Sequence, residues 1–188
     1  MTTELLSQFN LNGIVTMMEH AHSVHNVKFP TIRLPLAMDG NHEIELKRAG
    51  AKSRYTGAVN ITDGKPYGQN EWYGRISTEG KLQLSTIWQE KHPNLCEMII
   101  CTLHAFDEDP QTMAKTFAEI NNHCCFCNTV ITNKVSLANG YGPICARNYG
   151  LPYANSETGN NKLHPVKNYT LETALQEQFN LELDNNGK

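Results

Sequence analysis

Apolar residues recur at helical spacing near the start of the chain. Ile14, Met17, Met18, Ala21 and Val24 share one face, so residues 1–27 read as a helical segment. From residue 28 the rhythm shortens. TIRLPL (31–36), HEIELKRA (42–49), GAVNIT (57–62), EWYGRIS (71–77) and KLQLSTIW (81–88) are short β-type runs, separated by Asp39-Gly40, Gly50, Asp63-Gly64 and Glu79-Gly80. These turn signals predict an antiparallel meander of three to five strands, with Pro35 suited to an edge strand or a bulge. Two helices follow, one opening at Asn94 and one at Asp109-Pro110, where Met113, Phe117 and Ile120 form a core-facing stripe. Residues 154–162 read as a polar linker, and Leu171, Leu175 and Phe179 mark a short amphipathic helix after it.

Composition adds limits rather than identity. The 188 residues are 39% apolar and 19% charged, enough to bury a core without disulfide staples. Sixteen basic against nineteen acidic residues leave a net charge of −3, which argues against attraction of the whole chain to polyanions. No apolar run approaches the ~18 residues of a spanning helix, and MTTELLSQFN has neither the charged nor the apolar part of a signal peptide. The expected location is the cytoplasm, with no membrane partner. There, closely spaced cysteines bind metal or do redox chemistry more often than they form disulfides.

Four of the six cysteines fall between positions 124 and 145. Cys124 and Cys127 have the two-residue gap that lets a tight knuckle aim two thiolates at one tetrahedral ion. Cys145 follows behind Gly-Tyr-Gly-Pro, where Pro143 reads as an early helical residue. Knuckle, hairpin and helix-borne ligand together make a treble-clef-like arrangement for a structural Zn. A closed site needs a fourth ligand, and Asn148, three residues after Cys145, is a poor one. His164 is the first substitute, then His123 and Cys125; Cys96, Cys101 and His104 in the preceding helix are further alternatives. A thioredoxin-like pair lacks its βαβ surroundings, and neither H-x-E…P-C-x-x-C nor H-E-x-x-H occurs. His20, His22 and His25, with Glu19 beside them, read as an ordinary polar helix face.

The run C-x-x-C-N-T-V-I-T…S…G-Y-G-P-x-C-A, ending in Y-G-L-P, resembles a short cysteine-rich domain of unknown function that recurs in bacteriophage proteins and in some bacterial, including helicase-like, proteins. The preceding A-G-A-K-S-R-Y-T-G and W-Y-G-R-I segments are similar to what often comes before it in phage proteins. Many members carry a basic residue after the second cysteine, where this chain has Asn128. The resemblance implies zinc, a phage or mobile-element origin and hence a host-cytoplasmic setting; it implies no reaction.

Charge is unevenly spread. Residues 28–91 hold ten Lys/Arg against seven Asp/Glu, and Lys47, Arg48, Lys52 and Arg54 cluster around Gly50 beside Tyr55. In the cysteine segment, Arg147 stands among Tyr141, Tyr149 and Tyr153. Such cations neutralise phosphates while tyrosines stack on unpaired bases; the competing reading makes the tyrosines a mini-core. No phosphate-binding G-x-x-x-x-G-K-[ST], nucleophile elbow or acidic two-metal cluster is present, and Glu43 and Glu45, though on one strand face, read as solvent-exposed. The expectation is a non-enzymatic α+β protein that docks on a host or phage protein and inhibits it; the alternative is a DNA- or RNA-binding factor. Its parts are a helical segment at 1–27, a sheet-and-helix domain at 28–122, a zinc module at 123–153, and a linker with helix at 154–188.

Overall fold

The computed structural model describes residues 10–36 and 42–153. A first helix, α1 (Asn12–Ser23), leads into five strands: β1 (Thr31–Pro35), β2 (Glu43–Arg48), β3 (Val59–Thr62), β4 (Trp72–Ile76) and β5 (Leu82–Leu84). They form one antiparallel sheet in the order β1-β2-β3-β4-β5. This is the expected α+β meander. Pro35, which has no N–H to give a neighbour, sits at the end of an edge strand.

Five helices follow β5: α2 (Thr86–Lys91), α3 (Pro93–Glu108), α4 (Pro110–Asn121), α5 (Lys134–Asn139) and α6 (Pro143–Tyr149). The sheet turns Ile32, Leu34, Ile44, Leu46, Val59, Ile61 and Ile76 inward, all fully buried. Leu103, Phe106 and Phe117 of the helices and Ile14 and Met18 of α1 belong to the same core. Each such side chain contributes roughly 1.5–3 kcal/mol by leaving water. Among the described residues, no helix is long and apolar enough to cross a membrane.

The first helix is held from a distance. Leu11 precedes it and supplies no side-chain cap. Instead Asp107, at the end of α3, accepts the Ile14 N–H at 2.6 Å and is reached by the Gly13 N–H as well. A Cβ on Gly13 would lie 2.8 Å from the Asp107 carboxylate, so the cap requires the glycine. Burial raises the Asp107 pKa above the usual carboxylate range, against the opposing effect of these two donors.

Several boundaries differ from the sequence reading. The run 81–88 divides: β5 ends at Leu84, and Thr86–Lys91 is helical. Trp88 then packs edge-on against Tyr73 and lies against His92, which decides the local backbone through tertiary contact rather than propensity. The next helix starts with Pro93 in its first turn, not with Asn94 as its cap. Val24 lies past the end of α1 and is 58% exposed, so the buried face is Ile14, Met18 and Ala21. Glu45 is buried rather than solvated; Arg33 bridges it at 2.6 Å and Glu43 at 3.1 Å. Asp109 accepts the Thr112 N–H as the cap of α4, as the Asp-Pro signal implied. The expected linker and terminal helix at 154–188 lie outside the described residues.

Candidate metal centre

Helix α4 ends at Asn122 in the left-handed conformation, and the chain then folds back on itself. The Cys124 N–H donates to Thr129 O and the Asn128 N–H to Cys124 O, both at 2.9 Å, while His123 pairs with Val130. This knuckle needs a residue with positive φ after its second cysteine. Asn128 supplies it, with φ +56°; asparagine tolerates that region far better than a bulky or β-branched residue. In place of the expected hairpin, the short helix α5 bridges to the third cysteine. Asn133 caps it by accepting the Val135 and Ser136 N–H groups. Gly140 ends it with φ +83°, so close to α4 that a Cβ would lie 2.4 Å from the Ala114 backbone. Pro143 then opens α6 and puts Cys145 in its first turn.

These elements bring the Sγ atoms of Cys124, Cys127 and Cys145 within 4.8 Å of one another. At the corners of a tetrahedral zinc–thiolate centre, Zn–S bonds of ~2.3 Å set sulfurs about 3.8 Å apart. A small inward movement closes the gap, and three soft thiolates suit zinc, so the residues fit a structural Zn. Cys124 and Cys145 are buried, whereas Cys127 is exposed. Three sulfurs this close cannot all ionise without a cation between them. Contacts with Cys124 and then Cys145 lower the Cys127 pKa below the ordinary thiol range, and its Sγ lies 3.3 Å from Thr129 Oγ1. Contact with Cys127 raises the Cys124 thiol, and contacts with Cys124 and Cys127 raise the Cys145 thiol.

Of the fourth-ligand candidates, none among the described residues joins this group. His123 directs Nδ1 to the Asn121 carbonyl at 2.6 Å. Cys125 is fully buried, and burial pushes its thiol well above the ordinary range. Cys96, Cys101 and His104 remain on α3, where burial raises both cysteine thiols. His164 lies outside the described residues.

The centre is built onto the sheet. The Arg33 N–H of β1 donates to the Cys125 carbonyl at 2.7 Å, inside the knuckle. The Tyr149 hydroxyl of α6 accepts the Thr31 N–H at 2.9 Å and donates to Thr31 O at 3.0 Å. With Pro35 lacking an N–H, both outward donors of edge strand β1 are thereby used. Phe126 of the knuckle stacks on Tyr149 with centroids 4.2 Å apart and meets Tyr141 edge-on. Tyr141 is 1% exposed, its pKa pushed up to about 12 by burial, and its hydroxyl donates to Pro152 O. Tyr141 and Tyr149 therefore form the mini-core of the module, not a surface for stacking bases.

The basic residues separate. Lys47, Lys52, Arg54 and Arg147 are exposed. Arg48 is 9% exposed on the inward-facing side of β2, where its Nε and Nη2 donate to Glu19 Oε2 at 2.9 and 2.6 Å. Sequence reasoning passed over Arg75, Trp72 and Phe29. Alternation along β4 would have placed Arg75 outward, but Trp72 reaches that face through an irregularity in the β3–β4 register that no pattern announces.

Comparison with known proteins is sparse. No curated protein and no solved structure matches the chain. Residues 114–150, a stretch that contains all three clustered cysteines, match a family of unknown function (DUF6011).

Proposed function

We propose that the chain is a non-enzymatic accessory protein in which a structural zinc, held by Cys124, Cys127 and Cys145, staples the edge of a sheet whose outer face binds nucleic acid. The carrying observation is the joint between centre and sheet: the knuckle carbonyl of Cys125 takes the Arg33 N–H, so the metal module and β1 are one unit. A metal in this position contributes folding energy rather than chemistry. His164 is the proposed fourth ligand. The phage-type origin and the host cytoplasm implied by the motif are kept as part of this reading, and a reducing compartment suits six unpaired cysteines.

Nucleic acid is preferred as the partner because Lys47, Lys52 and Arg54 stay exposed, while Glu43 and Glu45 on the same sheet face are occupied by Arg33. A second reading has its own support. Val130 of the knuckle and Ile144 beside Cys145 are 57% and 65% exposed, an apolar tip suited to a host or phage protein. A partner that adds a strand to β1 is disfavoured, since that edge is already bonded.

Native mass spectrometry of the purified chain tests the metal: one zinc per chain is expected, lost in Cys127→Ser and retained in Cys96→Ser. Cobalt substitution then reports the ligands, with His164→Ala shifting the thiolate–cobalt spectrum if the fourth position is histidine. A metal-free chain would overturn the zinc reading. Retention in Cys127→Ser would overturn the ligand assignment. Binding to labelled DNA and RNA across a salt series separates the partner classes: a steep salt dependence supports nucleic acid, and no binding at low salt leaves the apolar tip as the alternative.

A further inference from the structure

We infer that the outer face of the sheet is a docking surface for single-stranded nucleic acid, gripped through the flat faces of its bases. This rests on the nucleic-acid reading above and narrows it to one face and one class of strand. The register places Thr31, Lys47, Asn60, Arg75 and Gln83 side by side in a row that crosses all five strands. Three aromatic rings surround that row and stay open to solvent: Phe29 at 49%, Tyr55 at 44% and Trp72 at 40% exposure.

Each ring is tied to the row. Lys28 and Lys47 hold their Nζ atoms 5.5 and 5.9 Å from the Phe29 centroid. The Arg75 guanidinium lies 3.5 Å from the Tyr55 centroid, with Arg54 at 5.4 Å. Trp72 donates from Nε1 to Asn60 Oδ1 at 3.3 Å. The shift in register between β3 and β4 sets Trp72 opposite Thr62, on this face, instead of among the inward residues. Trp72 lies in β4, while Phe29 just before β1 and Tyr55 in the β2–β3 connection flank the same row, and exposed rings grouped in this way mark an interaction surface.

The cations identify what covers them. Four of them, Lys28, Lys47, Arg54 and Arg75, lie against the rings, so an apolar protein surface placed here would have to strip them of water. A nucleic acid meets both needs at once, since phosphates pair with the cations while bases stack on the rings. The carboxylates Glu43 and Glu45 are bonded to Arg33, which leaves Glu71 as the exposed acid beside Trp72. A duplex hides its base faces in its own stack; a single strand offers them. The rings therefore favour the single strand.

The test uses the full-length zinc-loaded chain and fluorescence anisotropy with labelled oligothymidylate and oligouridylate of about 20 nucleotides, against a duplex of equal length. Single strands are expected to bind at least tenfold more tightly than duplex. Tyr55→Ala and Trp72→Ala, with circular dichroism and zinc content matching the parent, each weaken binding about tenfold. Replacing Lys47 and Arg54 together by alanine makes the log–log salt slope shallower by about 1.4. Arg147→Ala leaves affinity unchanged. Trp88→Phe leaves Trp72 as the sole tryptophan of the two, and its emission is quenched saturably by the oligonucleotide.

Equal binding of single strand and duplex, unaffected by Tyr55→Ala and Trp72→Ala, would overturn this inference while leaving the broader nucleic-acid reading standing. Loss confined to Arg147→Ala would move the site to the metal module and overturn it too. No binding of any nucleic acid at low salt would overturn both.

Discussion

At the scale of single residues, the most informative positions are those where backbone geometry dictates side-chain identity. Asn128 occupies the left-handed turn of the knuckle. Asn128→Gly is therefore expected to leave chemical-denaturant stability and metal affinity close to wild type. Asn128→Val costs about 1–2 kcal/mol and weakens metal binding in a competition assay with a chromophoric chelator. This position also shows where sequence reasoning stopped. Nothing in the spacing of the cysteines announces the left-handed turn, and the φ angle explains why asparagine serves there. Arg48 teaches the converse: its place in a basic cluster suggested phosphate binding, yet it faces inward onto Glu19. That orientation depends on register, which composition does not encode.

Two carboxylates around α1 respond oppositely to pH. Glu19 is held below its ordinary pKa, first by the Ser23 hydroxyl and then by Arg48. Its contribution is complete above the ordinary carboxylate range and fades as pH falls through its lowered value. Asp107 is raised by burial, so the folded state favours its protonated form; that stabilisation is present at low pH and fades as pH rises through its raised value. Asp107→Asn is expected to remove the second component from a stability-against-pH curve while preserving the first. Glu19→Gln removes the first. A thermal-melt series between roughly pH 3 and 7 reads both.

At the scale of elements, alternation and turn chemistry located all five strands, because four of them turn one apolar face inward. The run 81–88 resisted the same logic because its alternation continues into residues that tertiary packing of Trp88 makes helical. Of the three proline-led helices, α4 and α6 were legible from Asp109-Pro110 and Gly142-Pro143, where local chemistry fixes the start, whereas the start of α3 at Pro93 was not. What no local signal reveals is the clamp between α6 and β1. Tyr149→Phe removes the hydroxyl that serves both Thr31 backbone groups, at a cost of about 1–3 kcal/mol in urea unfolding. The Thr31 amide should exchange faster in that variant, with β3 amides unchanged.

At the scale of the whole molecule, metal centre and sheet form a continuous structure joined along β1. The clustering of Cys124, Cys127 and Cys145 was legible from spacing, since a two-residue gap and a proline-led helix are short-range devices. A fourth ligand was not legible, and among the described residues none joins the three sulfurs. Removing the metal is expected to lower the midpoint of thermal unfolding measurably and reversibly, and zinc addition should restore it. If the outer face binds single strands, the metal also governs binding indirectly, because β1 carries Thr31 at one end of the cross-sheet row and Phe29 directly precedes it.

The most direct test of this account is hydrogen exchange of the individual β1 amides with zinc bound and after its removal by a chelator. The account predicts that the Arg33 amide, bonded to Cys125 O, and the Thr31 amide, bonded to Tyr149, lose protection first and by a large factor, while amides of β3 at the centre of the sheet change less. Equal protection of Arg33 with and without metal would contradict it, and would separate the cysteine centre from the stability of the sheet.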